Sequence, residues 1–257
     1  MTLIWADDDL TRDAFLGGRV TLLQPRRGYR AGTDPVLLAA SVEAEPGQSV
    51  LELGCGAGAA MLCLAARVPG LDLWGVEIQP GYADLARRNA GLNDARVTVH
   101  TADLRALPPE IKARRFDHLI ANPPYFDRAR SRPAPDPAKE TAFGAPVSLA
   151  VWIDAMARRV APLGRLTLIQ KADRLPEIVA ALHGRMGGLA VQPLVSRKGR
   201  DAERVIVTAR QSGRAAFRLA APLVLHEGER HLSDAGDFTP EAEVIFRHGG
   251  KLRIQHN

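Results

Sequence analysis

A chain of 257 residues, 46% hydrophobic and 25% charged, is long enough to bury a sizeable core and has the balance of a globular protein rather than a disordered one. It contains no run of about 18 apolar residues, and its start, MTLIWADDDLTRDAF, lacks the basic-then-apolar layout of a secretory leader, so a cytoplasmic protein with no membrane partner is expected. Two cysteines, Cys55 and Cys63, exclude a disulfide framework and a four-cysteine metal site, and no metal is expected; the net charge of +5 favours a polyanionic partner.

In chain order, residues 1–47 read as an N-terminal extension on a domain spanning 48–257. AFLGGRVTLLQP (14–25) predicts two short strands turned at Gly17-Gly18. The glycine- and arginine-rich RRGYRAGTD follows, then a helix from Asp34 or Pro35 through Val42. From residue 48 to 210, β-rich runs alternate with segments of helical period, which predicts an α/β fold with a mainly parallel sheet. The strands are expected at 49–53, 71–78, 97–102, 116–121, 165–170, 189–196 and 204–210, and the helices at 57–68, 80–93, 148–160 and 174–186. No helix separates the last two of these seven strands, so they should pair as an antiparallel hairpin at one edge of the sheet. DRARSRPAPDPAKETAFGAP (127–146) is aperiodic and rich in proline, and reads as a long functional loop. Beyond residue 210 the turn-rich composition suggests a loop-rich tail.

The first parallel strand ends in LELGCGAGAA, with Gly54, Gly56 and Gly58 leading into a helix. Glycines there permit a tight turn and close approach of a ligand to backbone amides at a helix N-terminus. Glu77 closes the second strand, next to Ile78, where a carboxylate can accept both hydroxyls of a ribose. The glycines alone fit either a nicotinamide dinucleotide or S-adenosylmethionine. Three further features favour S-adenosylmethionine. Glu52 would repel a pyrophosphate but suits a cationic methionine group; Asp103, beside Leu104, is placed to receive an adenine amino group; and Asn122-Pro123-Pro124-Tyr125 ends the fourth strand on the same edge.

Together ELGCGAG, GVEI, TADL and NPPY resemble the class I S-adenosylmethionine-dependent methyltransferases that methylate amino groups, across residues 33 to 210. GYRAGTDPVLLAAS (28–41), GRDAERVIVTAR (199–210) and the closing LHEGERHLSDAGDFTPEAEVIF are similar to segments of the bacterial tRNA(Val) adenine-N6 methyltransferases. That resemblance implies a Rossmann-like sheet, a tRNA adenine near the anticodon as methyl acceptor, and Thr33 and Asp34 as contacts to the methionine end of the cofactor. It leaves three other outcomes open: a protein-glutamine or ribosomal guanine-N2 methyltransferase with the same turn, an NAD(P)-dependent oxidoreductase, or a catalytically silent RNA-binding protein.

Methylating an exocyclic amino nitrogen requires freeing a lone pair that is delocalised into the ring. The Asn122 side-chain oxygen and the Pro123 carbonyl can accept its two N–H bonds, the prolines fix their direction, and Tyr125 offers a stacking face. For the phosphates of an RNA, Arg26, Arg27 and Arg30 lie in a stretch free of acids, and Arg128, Arg130 and Arg132 follow the Asn-Pro-Pro-Tyr turn directly.

Overall fold

A computed structural model of the chain describes residues 5–125, 147–228 and 237–254. The predicted loop 127–146, with Arg128, Arg130 and Arg132, lies outside them. The first elements are strands β1 (Leu10–Phe15) and β2 (Val20–Pro25), an antiparallel hairpin turned through a short 3-10 segment, followed by helix α1 (Asp34–Ser41). The alternating core then runs β3 (Ser49–Leu53), α2 (Ala59–Arg67), β4 (Asp72–Glu77), α3 (Pro80–Leu92), β5 (Val97–Thr101), a single turn α4 (Pro109–Lys112) and β6 (Phe116–Ala121). It continues with α5 (Leu149–Ala157), β7 (Val160–Lys171), α6 (Leu175–Leu182), β8 (Gly187–Arg197) and β9 (Arg204–Arg210). Two short strands, β10 (Arg218–Leu219) and β11 (Leu223–His226), and helix α7 (Pro240–His248) complete the described chain.

The central sheet has nine described strands where seven were expected. Strands β5, β4, β3, β6 and β7 lie parallel in that spatial order, and β9 joins β7 antiparallel with β8 outside it. The late hairpin therefore forms as expected but is not the bare edge of the sheet. Strands β10 and β11 both pair in parallel with β8, at Ala190–Val191 and Leu194–Arg197, and cover its free edge. Neither was legible in the sequence, because Pro222 lacks the N–H a ladder needs and splits the edge into pieces of two and four residues, too short for an alternation to show. The Gln192 amide bridges the gap by donating to the Ala221 carbonyl at 2.6 Å.

Period-two alternation sends neighbouring side chains to opposite faces. Val50, Ile120, Ile169 and Ile206 face α1, α2 and α7, while Leu51, Leu119, Leu168 and Val207 face α5 and α6. The N-terminal hairpin docks on the first face through Val20 and Leu22, and its open edge is capped by α3. There Asn89 and Asn93, one helical turn apart, each bond both the N–H and the C=O of a β2 residue, Leu23 and Thr21 respectively, at 2.7–3.0 Å. Two amides thus substitute for a missing neighbouring strand. Among the described residues no helix is long and apolar enough to cross a membrane, and Cys55 and Cys63 are buried and unbridged.

Candidate active site

Parallel strands deliver the residues at their carboxyl ends to a single edge, and here β3, β4, β5 and β6 bring Glu52, Glu77, Asp103 and Asn122 to it. The glycine turn after β3 is left-handed at Gly54, Gly56 and Gly58, with φ of 68°, 54° and 88°, which only glycine adopts without strain. Gly54 has a second reason to lack a side chain: a Cβ there would stand 2.5 Å from the Trp152 ring of α5. At Gly56 the same atom would meet only Tyr29, at 3.9 Å, so the space above this glycine is open to a ligand.

The turn is tied to the next strand end. Glu77 Oε2 accepts from the Gly56 N–H at 2.9 Å and Oε1 from the Gln79 N–H at 2.9 Å. The Ile78 N–H also bonds this carboxylate, so of its about four lone-pair positions about one remains for a ligand hydroxyl. Burial pushes the Glu77 carboxyl up, partly opposed by these backbone bonds. Glu52 is buried at the start of α2, where its Oε2 accepts from the Met61 N–H at 3.2 Å. Burial holds it well above the carboxylate range, and among the described residues it has no cationic partner. Ile78, 44% exposed, presents an apolar surface beside Glu77. Asp103 sits at the end of β5 as expected but caps the following turn and is held by Arg105, whose Nε and Nη2 reach Oδ2 at 2.9 and 2.5 Å. That bond keeps the Asp103 carboxyl below its ordinary value. Leu104, next to it, packs on the core.

At the end of β6 the Asn122 side chain makes no hydrogen bond to any described residue. The Pro123 carbonyl accepts from Gln170 Nε2 at 3.2 Å, and Gln170 is fully buried. Pro124 is exposed. Tyr125 donates its O–H to Asp34 Oδ2 at 2.5 Å, while Arg204 of β9 pairs with the other oxygen of Asp34 and reaches Thr33 Oγ1 at 3.4 Å. Burial, then the Asp34 carboxylate, raises the Tyr125 phenol far above its usual value, so it remains a donor.

Three residues in this constellation escaped the sequence reading. Gln170 was visible as a polar end to an apolar strand, Arg204 as the first residue of a strand entering from the same edge, and Tyr29 as the aromatic inside GYRAG. The arginines divide. Arg30 is consumed by the hairpin, with Nη2 to Asp13 at 2.6 Å and Nη1 to Thr11 and the Pro25 carbonyl. Arg26 Nε donates to the Asp8 carbonyl at 2.9 Å, and Arg27 is exposed with no partner among the described residues. A polar cleft of about 630 Å³ opens at the opposite, amino-terminal edge, lined among others by Glu43, Asp117, His118 and Arg165, and it shares none of these groups.

Comparison with known proteins accords with this geometry. Residues 50–134 match the family model described as a methyltransferase domain. The chain is 34% identical over 175 residues to the tRNA1(Val) (adenine(37)-N6)-methyltransferase of Porphyromonas gingivalis, covering 65% of this chain and 68% of that protein. Against the enzyme of the same name from Cronobacter sakazakii it is 32% identical, covering 51% of this chain and 56% of the relative. Among solved structures, a predicted O-methyltransferase from Agrobacterium tumefaciens superposes with a TM-score of 0.69 at 29% identity, over 86% of this chain and 98% of the other. The 16S rRNA N2 G1207 methyltransferase of T. thermophilus, solved with AdoMet and guanosine, shares the fold with a TM-score of 0.55 at 20% identity, over 79% of this chain and 50% of that one. This chain belongs to the class I S-adenosylmethionine-dependent methyltransferases, in the family of the tRNA1(Val) (adenine(37)-N6)-methyltransferases.

Proposed function

We propose that this protein methylates the N6 amino nitrogen of an adenine in RNA, specifically a tRNA adenine near the anticodon. The observation that carries the reading is the pair of acceptors at the end of β6. Among the described residues the Asn122 side-chain amide has no partner, and the Pro123 carbonyl has one lone pair occupied by Gln170 and a second one open. Both stand on the edge that carries the glycine turn.

The residues present fit S-adenosylmethionine. Glu77 keeps acceptor capacity for a ribose hydroxyl, Gly56 leaves open space above the turn, Ile78 offers an apolar surface to the adenine, and Glu52 is a buried carboxyl lacking a cation among the described residues. Thr33, Asp34, Asp103 and Leu104 complete the cofactor contacts of this reading, with Asp34 engaged by Tyr125 and Asp103 by Arg105. Bound S-adenosylmethionine supplies an electrophilic methyl group on a sulfonium. The chain positions the acceptor: Asn122 Oδ1 and the Pro123 carbonyl take the two N–H bonds of the target amino group and draw its lone pair out of conjugation with the ring. Pro123 and Pro124 hold the two acceptors in fixed directions, and Tyr125 stacks on the extruded base, a contact worth about 1–3 kcal/mol at comparable sites. Residues 1–47 act as an extension of the domain 48–257, carrying Asp34 to Tyr125.

Nucleoside mass spectrometry tests the assignment. After incubation of unmodified tRNA with the protein and methyl-labelled cofactor, N6-methyladenosine should carry the label. Label on guanine N2, or only on protein glutamine, would reject it.

A further inference from the structure

An exposed aromatic ring stands over the glycine turn. Tyr29 is 57% exposed, yet its ring lies 3.9 Å from the place a Cβ would occupy at Gly56. Its position is built rather than accidental. Tyr82, buried on α3, donates its hydroxyl to the Tyr29 carbonyl at 2.9 Å and meets the Tyr29 ring edge-on at 6.4 Å between centroids. Tyr82 is in turn packed edge-on against Trp5 at 4.8 Å. Helix α3 begins directly after the strand that ends in Glu77, so the element that ends the ribose-binding strand also fixes the ring. The Tyr29 hydroxyl has no hydrogen-bond partner among the described residues.

The surroundings of the ring are acidic. Partial removal from water, then the charges of Asp34 and Glu52 and, more weakly, Glu77, push the Tyr29 phenol up to about 12, so it stays neutral at working pH. Asp34 is paired with Arg204, but Glu52 and Glu77 have no cationic partner among the described residues. The Tyr29 ring face over the open space at Gly56 suits a cation, because an aromatic face carries negative electrostatic potential.

We propose that Tyr29 is a cofactor-binding residue whose ring forms a wall of the crevice above Gly56 and attracts the positively charged sulfonium of S-adenosylmethionine. The spent cofactor, S-adenosylhomocysteine, is a neutral thioether at that position and gains nothing from the ring. Tyr29 therefore favours the methyl donor over its product and lessens product retention. The proposal rests on the family's cofactor and is independent of which base is methylated.

The test is calorimetric titration of wild type, Tyr29→Phe and Tyr29→Leu with S-adenosylmethionine and, separately, S-adenosylhomocysteine. Tyr29→Leu should weaken the first by about 3- to 30-fold, the range of an aromatic–cation contact, and the second by less than about twofold; Tyr29→Phe should keep the wild-type ratio. Unchanged affinity for S-adenosylmethionine, or equal weakening of both ligands, would overturn the proposal. So would a variant with normal cofactor binding whose defect lies in the KM for RNA, since the ring would then serve the target base. If Tyr29→Leu does not fold, replacement of Tyr29 by phenylalanines of increasing fluorination supplies the same readout: affinity for the sulfonium should fall stepwise with fluorine count, and a flat series would overturn the idea. Failure of the wild type to bind either ligand would instead contradict the cofactor itself.

Discussion

Tyr125 donates a 2.5 Å hydrogen bond to Asp34, joining the turn that ends β6 to the first residue of α1, 91 positions earlier in the chain. Arg204, from β9, neutralises the same carboxylate. The start of α1, the Asn-Pro-Pro-Tyr turn and the late hairpin therefore meet at one carboxylate. This gives Asp34 a role in orienting the Tyr125 ring that differs from contact with the methionine group. Tyr125→Phe keeps the stacking face and removes the bond. A hydrogen bond to a charged acceptor contributes about 1.5–3 kcal/mol when fully enclosed, and this one is partly exposed, so kcat/KM for RNA should fall by about tenfold while the Kd for S-adenosylmethionine stays within about twofold. Steady-state kinetics together with calorimetry separate the two; an equal loss in both would place the bond in cofactor binding.

Asn122→Ala removes one of the two acceptors proposed for the target nitrogen. Deleting a positioned group of this kind typically costs 10²–10³ in kcat. Turnover should drop by at least about two orders of magnitude with near-normal affinity for S-adenosylmethionine and for tRNA. Single-turnover methyl transfer measures the chemical step directly, and a normal rate there would remove Asn122 from the mechanism.

Glu52 has a folded-state pKa above its ordinary value near 4.5 because burial penalises the charged form. For an acid shifted upward, the folded state holds its proton over a pH range in which the unfolded state has lost it. Stability is therefore greatest below the unfolded value and declines as pH rises from there toward the folded one. Glu52→Gln keeps the shape without the ionisation, so thermal melts of the ligand-free variant should show a flatter pH profile above pH 4.5 and a higher Tm than wild type near neutrality. A profile parallel to wild type would mean that Glu52 ionises freely in the fold.

Arg27 and Arg30 are neighbours in sequence with opposite expectations. Arg27 is exposed and has no partner among the described residues, so Arg27→Gln should weaken tRNA binding and lower the slope of log K against log salt by about 0.7 to 0.9, the value of one phosphate contact. Arg30 is held by Asp13, Thr11 and the Pro25 carbonyl, so Arg30→Gln should lower Tm through the β1–β2 hairpin and leave the salt slope unchanged. Filter binding across a salt series, paired with thermal melts, distinguishes them.

Much of the architecture was legible because its signals are local. Apolar runs of four to eight residues between helical segments identified the five parallel strands β3 to β7 and the late hairpin, and Gly54, Gly56, Gly58, Glu77 and Asn122 declared themselves by standing at the ends of those runs. Where boundaries moved, a backbone term outweighed the pattern. Helix α2 begins at Ala59 rather than 57 because Gly58 is left-handed, and α6 ends at Leu182 ahead of the left-handed Gly184 rather than reaching 186. The tail was opaque for the opposite reason: β10 and β11 are strands by virtue of the edge they cover and carry little pattern of their own.

The sequence by itself determined which residues arrive at the carboxyl edge of the sheet, since strand alternation and turn chemistry act over a few neighbours. Only the tertiary structure decided what each of them touches. Asp34 is joined to Tyr125 and Arg204, Gln170 to the Pro123 carbonyl, and Arg30 to Asp13, while Tyr29 is raised over Gly56 by a helix more than fifty residues away. Those partnerships follow from the stacking order of strands and from which side chains burial leaves facing one another. Neither is encoded in any short stretch of chain.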